Sequence, residues 1–247
     1  MKKIIILLNI SFALLFAATP EQVERYISLS QAEEELLELE SSFSAMQSKV
    51  SAKDTNSSTY DTELLSIRFR EHLQKTLSEN EMEKVLENYK NEILLKFVSA
   101  TNDPDRDPYD AMSYVKKLKT DASAQIRIGI TEKINKIYSN KEAMYAMINT
   151  LIEPMMKTIQ TKASNDKNVE KMKKTFVDRV VKKAIEDSNN EILYATREFT
   201  IKELEELLKI AKTPATGYEI KALYDSVAFA MQELVGQMAS QMEYISR

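Results

Sequence analysis

Glycine is almost missing from this chain: Gly129, Gly217 and Gly236 are the only three in 247 residues, and none lies in a glycine-rich motif. Sheet proteins draw on glycine for bulges and tight hairpins. Phosphate-cradling loops need it so that the backbone can approach the ligand. Five prolines and no cysteine accompany the three glycines, so the chain reads as helical and without disulfide staples.

Apolar residues recur with the helical period. In Ser30–Val50, Ala32, Leu36, Leu39, Phe43, Met46 and Val50 alternate steps of four and three, the seam of a helix packed on another helix. Met82, Leu86, Tyr89, Ile93 and Phe97 make a further stripe, and Met144, Ile148, Leu151 and Met155 another, which Pro154 should end or kink. Ile220, Leu223, Val227, Ala230 and Leu234 open the last, continued by Met238 and Ile245. Sustained strand-type alternation is absent. The expected fold is all-α, a helical bundle.

Polar clusters at Ser51–Asp61, Thr101–Asp110, Thr161–Asn168 and Asp187–Asn190 read as loops. The stretch 103–110 holds two prolines and serves as the expected linker between an N-terminal helical half, 19–102, and a C-terminal half, 111–247. The halves look related. Ser78 with Glu81 and Thr200 with Glu203 form capping boxes ahead of the same apolar spacing, and Ser30 with Glu33 and Ser139 with Glu142 make an earlier pair. Thr19-Pro20-Glu21-Gln22 looks like one more cap, with proline at the first helical position.

The start has the form of a secretory signal peptide over residues 1–18: Lys2 and Lys3, an apolar stretch from Ile4 to Phe16, then the small residues Ala17 and Ala18. That stretch falls short of the roughly 20 residues of a membrane helix, and no later segment approaches that length. The mature chain is expected in the periplasm or secreted, with no transmembrane segment. Of 34 basic and 38 acidic residues, loss of Lys2 and Lys3 leaves 32 against 38, a net charge of −6. That balance argues against nucleic-acid binding.

Phe199, Thr200, Glu203, Leu204 and Leu207, followed by Thr213-Pro214 and Gly217, carry a resemblance covering Phe199–Lys221. This stretch resembles a family of exported bacterial helical domains known only as a domain of unknown function, whose pattern is F-T-x-x-E-L-x-x-L and then S-P-x-G-x-K. Thr213 stands where the family has Ser, one residue is inserted before Gly217, Lys221 falls late, and Ile210-Ala211 replace an aromatic pair. The resemblance implies a compact periplasmic helical module and brings no catalytic residues.

Chemistry-bearing motifs are thin. His72 is the single histidine and reads as a solvated helix residue; a general base usually has an orienting partner. Asp103, Asp105 and Asp107 begin with calcium-loop spacing, but Pro108 stands at the glycine position and Tyr114 where a bidentate Glu belongs. Asp107 and Pro108 read instead as N-cap and first residue of a helix. The acids Glu33, Glu34, Glu35, Glu38 and Glu40 read as a solvated first-turn face. Lys167, Lys171, Lys173, Lys174, Arg179, Lys182 and Lys183 surround Val169, Met172, Phe176 and Val180. They suit an acidic partner or anionic membrane surface, although a polar face over a core stripe is the preferred reading. Met231, Met238 and Met242 form a candidate interaction surface, with core filling preferred. Asn56, in Asp54-Thr55-Asn56-Ser57-Ser58, is a candidate glycosylation acceptor.

No residue is assigned to catalysis, a cofactor or a metal. The expectation is a non-enzymatic exported interaction, adaptor or chaperone-like module binding a protein or envelope component, with homo-oligomers left open. The alternatives are a small-ligand sensor domain and a carboxylate-dependent hydrolase of an envelope polymer, which would need two acids across a cleft.

Overall fold

In the computed structural model of the protein, residues 17–34, 36–38, 40–41, 62–160 and 166–245 are described. The apolar stretch expected to be part of a leader, the loop expected over 51–61 and Asn56 lie outside them. The helices are α1 (Pro20–Ser30), α2 (Thr62–Thr76), α3 (Glu79–Asn88), α4 (Glu92–Thr101), α5 (Pro108–Thr120), α6 (Gln125–Tyr138), α7 (Lys141–Gln160), α8 (Asp166–Ala195), α9 (Ile201–Ala211) and α10 (Pro214–Ile245), with a 3-10 turn at Ala122–Ala124. Positions 32–34, 36–38 and 40–41 are also helical. Among the described residues there is no strand, and the fold is an all-α bundle.

Caps explain several helix starts. Thr19 with Gln22, Ser78 with Glu81 and Thr200 with Glu203 form reciprocal capping boxes, as the spacing predicts. Two other boxes do not form. Ser30 closes α1, Gln31 turns left-handed with φ 56°, and Ser30 Oγ accepts from Ala32 N–H. Glu33 instead reaches the Arg70 guanidinium. At α7 the capping side chain is Asn140, whose Oδ1 accepts from Ala143 N–H at 3.0 Å, while Ser139 turns inward.

Tertiary contacts overrule two further expectations. The stripe from Met82 to Phe97 is broken into α3 and α4 because Asn91 Oδ1 accepts from Ile93 N–H and starts a new helix. Asp187–Asn190 stays helical within α8: Ser188 bonds Ser139, and Asn190 accepts from Lys119. Weak helix formers are tolerated where such partners exist. Helix α7 also runs through Pro154 to Gln160.

Long α10 is the hub, packing against α2, α3 and α7, while α9 rests on α6 and α4, and α1 covers α3. The main core takes Tyr26, Phe69 and Met82 from before the 103–110 stretch and Ile134, Leu204 and Met231 from after it, all at or near zero exposure. Both sides of that stretch therefore share one interior. The capped helices α3 and α9 enter it alike, through Met82 and Val85 and through Leu204 and Leu207. A smaller cluster joins α5 to α8 through Ala111, Val115, Leu193 and Tyr194. Another joins α7 to α8 through Met144, Ile148, Val177 and Val181.

Residues at the leader boundary belong to this structure. Ala18 is 1% exposed, its N–H donates to Leu77 carbonyl at 2.9 Å, and Ala17 pairs with Ser78.

Gly129 lies inside α6, and a Cβ built there meets no heavy atom within 4 Å. Gly129→Ala is expected to stabilise the protein by about 0.5–1 kcal/mol, because alanine restricts the unfolded chain and favours the helix. A lowered melting temperature would contradict this.

Candidate functional site

The main candidate is the outward side of α8. Val177 and Val181 face α7, which fixes the rotation of the helix. Met172, Phe176, Arg179 and Lys183 follow at i, i+4, i+7 and i+11, a line on the side turned to solvent. Met172 is 61% and Phe176 49% exposed. The core stripe expected through Val169, Met172, Phe176 and Val180 is thus only half realised: Val169 is buried and Val180 packs inside, while the two largest members are outside. Small residues at Val177, Val181 and Ala184 permit close approach to α7, and that spacing was the signal for the true rotation.

Between Lys171 and Lys183 there are six basic residues and one acid, a net +5 in a chain whose total is −4. The acid, Asp178, accepts a hydrogen bond from the Tyr145 hydroxyl of α7, which turns it aside from the outward line. Lys171, Lys174, Arg179 and Lys182 make no ion pair among the described residues, while Lys183 meets Asp187 at 2.9 Å.

Helix α5 abuts the C-terminal end of α8. Lys119 donates to Asn190 at 2.9 Å, and Arg106 pairs with Glu191 at 2.6 Å. Asn190 continues the line of Met172 and Phe176, five turns on. The outer side of α5 repeats the pattern: Tyr109 and Met112, 78% and 65% exposed, share it with Lys116 and Lys119.

Beside this face, α6, α7 and α8 bound an open cleft of about 660 Å³. Its floor is polar. Asn135 donates to the Ile185 carbonyl at 3.0 Å and accepts from Ser139, and Ser139 meets Ser188. Asn189 Oδ1 is buried there without a hydrogen-bond donor. Glu132, Lys136, Lys141, Glu142, Lys182 and Glu186 stand around the rim.

A third feature is wholly internal. Glu219 of α10 is 5% exposed, and its Oε1 accepts from the Tyr26 hydroxyl at 3.0 Å and the Tyr89 hydroxyl at 2.5 Å. Burial pushes its carboxyl up to about 7, against the pull of the two hydrogen bonds. Burial, with Glu219 nearby, also raises the Tyr89 and Tyr138 hydroxyls above their ordinary range. No motif marked Glu219. Its position, three residues after Thr216 in an amphipathic pattern, resembles a surface acid until α1, α3 and α6 close over it.

Other sequence candidates fall elsewhere. Met231 is fully buried in the main core and is interior, so it does not belong to an interaction surface. The side chains of Met238 and Met242 lie outside the described residues. His72 is half-buried rather than solvated: its ring stacks on Phe229 with centroids 4.5 Å apart, and Nδ1 lies 3.2 Å from Ser226 Oγ. Burial lowers its pKa. Asp107 caps α5, with Oδ1 accepting from Tyr109 N–H, and Asp103 Oδ1 accepts from Asp105 N–H, a local turn. Among the described residues no three His, Cys, Asp or Glu side chains gather as a metal set. In the resemblance segment, Thr213 and Asn88 join Thr216 at the start of α10, and Gly217 sits within the helix at ordinary φ.

The fold and these surfaces define an all-α bundle with a basic, apolar-studded outer helix. Comparison of the chain with protein-family models, with curated proteins and with solved structures gives no match.

Proposed function

We propose that this protein is an exported, non-enzymatic interaction module that docks an acidic envelope component through the outward line of α8. The carrying observation is the exposure of Met172 and Phe176 among basic side chains of which Lys171, Lys174, Arg179 and Lys182 make no ion pair among the described residues. The resemblance of Phe199–Lys221 to an exported helical family accords with this reading. The immobilised protein and its M172S/F176S variant, each exposed to envelope extract, provide the test. The variant should keep its helical spectrum and lose the captured component; equal capture by both would remove α8 from the reading.

Export carries its own prediction. A cut after Ala18 would delete a residue that packs and hydrogen-bonds in the fold. Cleavage between Ala17 and Ala18 gives up the bridge of Ala17 to Ser78 but keeps the buried Ala18, and leaves a small side chain at the preceding position. The exported protein is therefore expected to begin at Ala18, one residue earlier than the 1–18 leader implies. Its intact mass reads this directly, and added glycan mass on Asn56 as well. A mass beginning at Thr19 would contradict the assignment.

The cleft favours a second reading, a sensor for a small polar ligand that donates a hydrogen bond to Asn189 Oδ1. A thermal-shift screen of wild type against Asn189→Ala tests it: stabilisation of both alike, or of neither, counts against the cleft.

A further inference from the structure

We infer that the occupant of the α8 face is an anionic phospholipid surface, an inference that rests on the docking reading above and names its partner. Of the six cations between Lys171 and Lys183, five are lysines and one is Arg179. Protein–protein contacts are depleted in lysine and favour arginine and clustered aromatic anchors in desolvated pockets. Among the described residues Phe176 makes no ring contact, and it does not line the cleft beside this face. A convex, lysine-rich helix with isolated apolar side chains suits the headgroup layer. There flexible ammonium groups meet phosphates while Met172 and Phe176 reach the acyl boundary.

Charge is complementary along the face from Met172 to Lys183; beyond it the exposed Glu186 and Asp187 interrupt the line before Asn190. The single acid between Lys171 and Lys183 accepts a hydrogen bond from Tyr145, and among the described residues Lys171, Lys174, Arg179 and Lys182 make no ion pair, while Lys183 meets Asp187. Helix α5 extends the same chemistry with Tyr109, Met112, Lys116 and Lys119, and a tyrosine with a wet hydroxyl and an apolar ring fits an interfacial position. The inner side of α8 is fixed to α7 by Val177 and Val181, so the face is presented without refolding. No described helix is long and apolar enough to cross a membrane; the contact is one of lying on the surface.

Sedimentation with vesicles of phosphatidylglycerol and phosphatidylcholine in equal parts, against phosphatidylcholine alone, tests the inference on the mature chain. Binding is expected only to the anionic vesicles. It should fall away in about 0.5 M NaCl, where screening leaves a reach of roughly 4 Å. Each basic residue near such a surface contributes roughly fivefold, so R179E/K182E should weaken binding by at least about tenfold. F176S should weaken it severalfold. These side chains are exposed, and unchanged melting curves would confirm intact folds. Equal binding to neutral vesicles, no binding to anionic ones, or indifference to R179E/K182E would overturn the lipid assignment. Should vesicles fail while M172S/F176S still abolishes capture from envelope extract, the docking reading stands with a protein partner. Failure of both would remove it.

Discussion

Glu219→Gln is expected to make the protein up to about 3 kcal/mol more stable than wild type at pH 8, with the gap narrowing to about 1 kcal/mol at pH 5 and closing below about pH 4. The carboxyl has an ordinary value of 4.5 and is pushed up to about 7 by burial. Below the ordinary value both folded and unfolded chains hold the proton, and the wild type has its full stability. From there to about pH 7 the unfolded chain releases the proton while the folded chain retains it. Stability therefore falls as pH rises across that window, at about 1.4 kcal/mol per pH unit, and levels off above it. Glutamine cannot ionise, and it can keep the hydrogen bonds from Tyr26 and Tyr89. In a chain of this size the gain at pH 8 corresponds to roughly 6–12 °C in melting temperature.

His72 acts in the opposite sense. Its lowered pKa removes stability as pH falls through the ordinary histidine range, and it does so equally in both proteins. Glu33, Glu81 and Glu203 are held below their usual range by Arg70, Ser78 and Lys96 respectively, and contribute at higher pH in both. The difference between wild type and E219Q thus isolates one carboxyl. Parallel pH profiles for the two proteins would mean that the Glu219 carboxyl titrates alike in the folded and unfolded chains, with no shift on burial.

Met231→Ala should cost about 3 kcal/mol, lowering the melting temperature by roughly 6–12 °C. Met231 has no exposed surface and sits in the main core with Leu234 and Val235 of the same helix. Truncation removes buried thioether and methylene contacts and leaves a cavity on the hub helix α10, which α2, α3 and α7 brace from several sides. Phe176→Ser, although it removes a larger side chain, should stay within about 0.5 kcal/mol of wild type, because nearly half of that ring is already in water. An unchanged melting temperature for Met231→Ala would return that side chain to the surface.

The two substitutions separate what a helical pattern announces from what packing chooses. Thr19, Ser78 and Thr200 could be read as helix starts because each cap is closed by a residue three positions away. Leu204, Leu207 and the seam of α10 from Ile220 to Leu234 could be read as core because the helical repeat gathers them on one side. Such features are local, and the amino-acid order alone determines them. Scarce glycine and periodic apolar residues were likewise enough to establish an all-α protein.

Rotation about the helix axis and the identity of neighbours were not local. In α8 two rows compete, one with Met172 and Phe176 and one with Val177 and Val181, and the flat approach of α7 selects the smaller residues. Ser30 and Ser139 have capping-box partners in sequence but bond elsewhere, because Arg70 draws away Glu33 and Asn135 holds Ser139. Glu219 acquires its raised pKa only through burial by distant segments, which also bring Tyr26 and Tyr89, 193 and 130 residues away along the chain, to hydrogen-bond it and pull the other way. The sequence by itself determined helices, their caps and most of their buried sides, since those depend on spacings within a few turns. Only the tertiary structure decided which charge is buried and which apolar residues face outward, because desolvation and partner supply are properties of distant segments brought together.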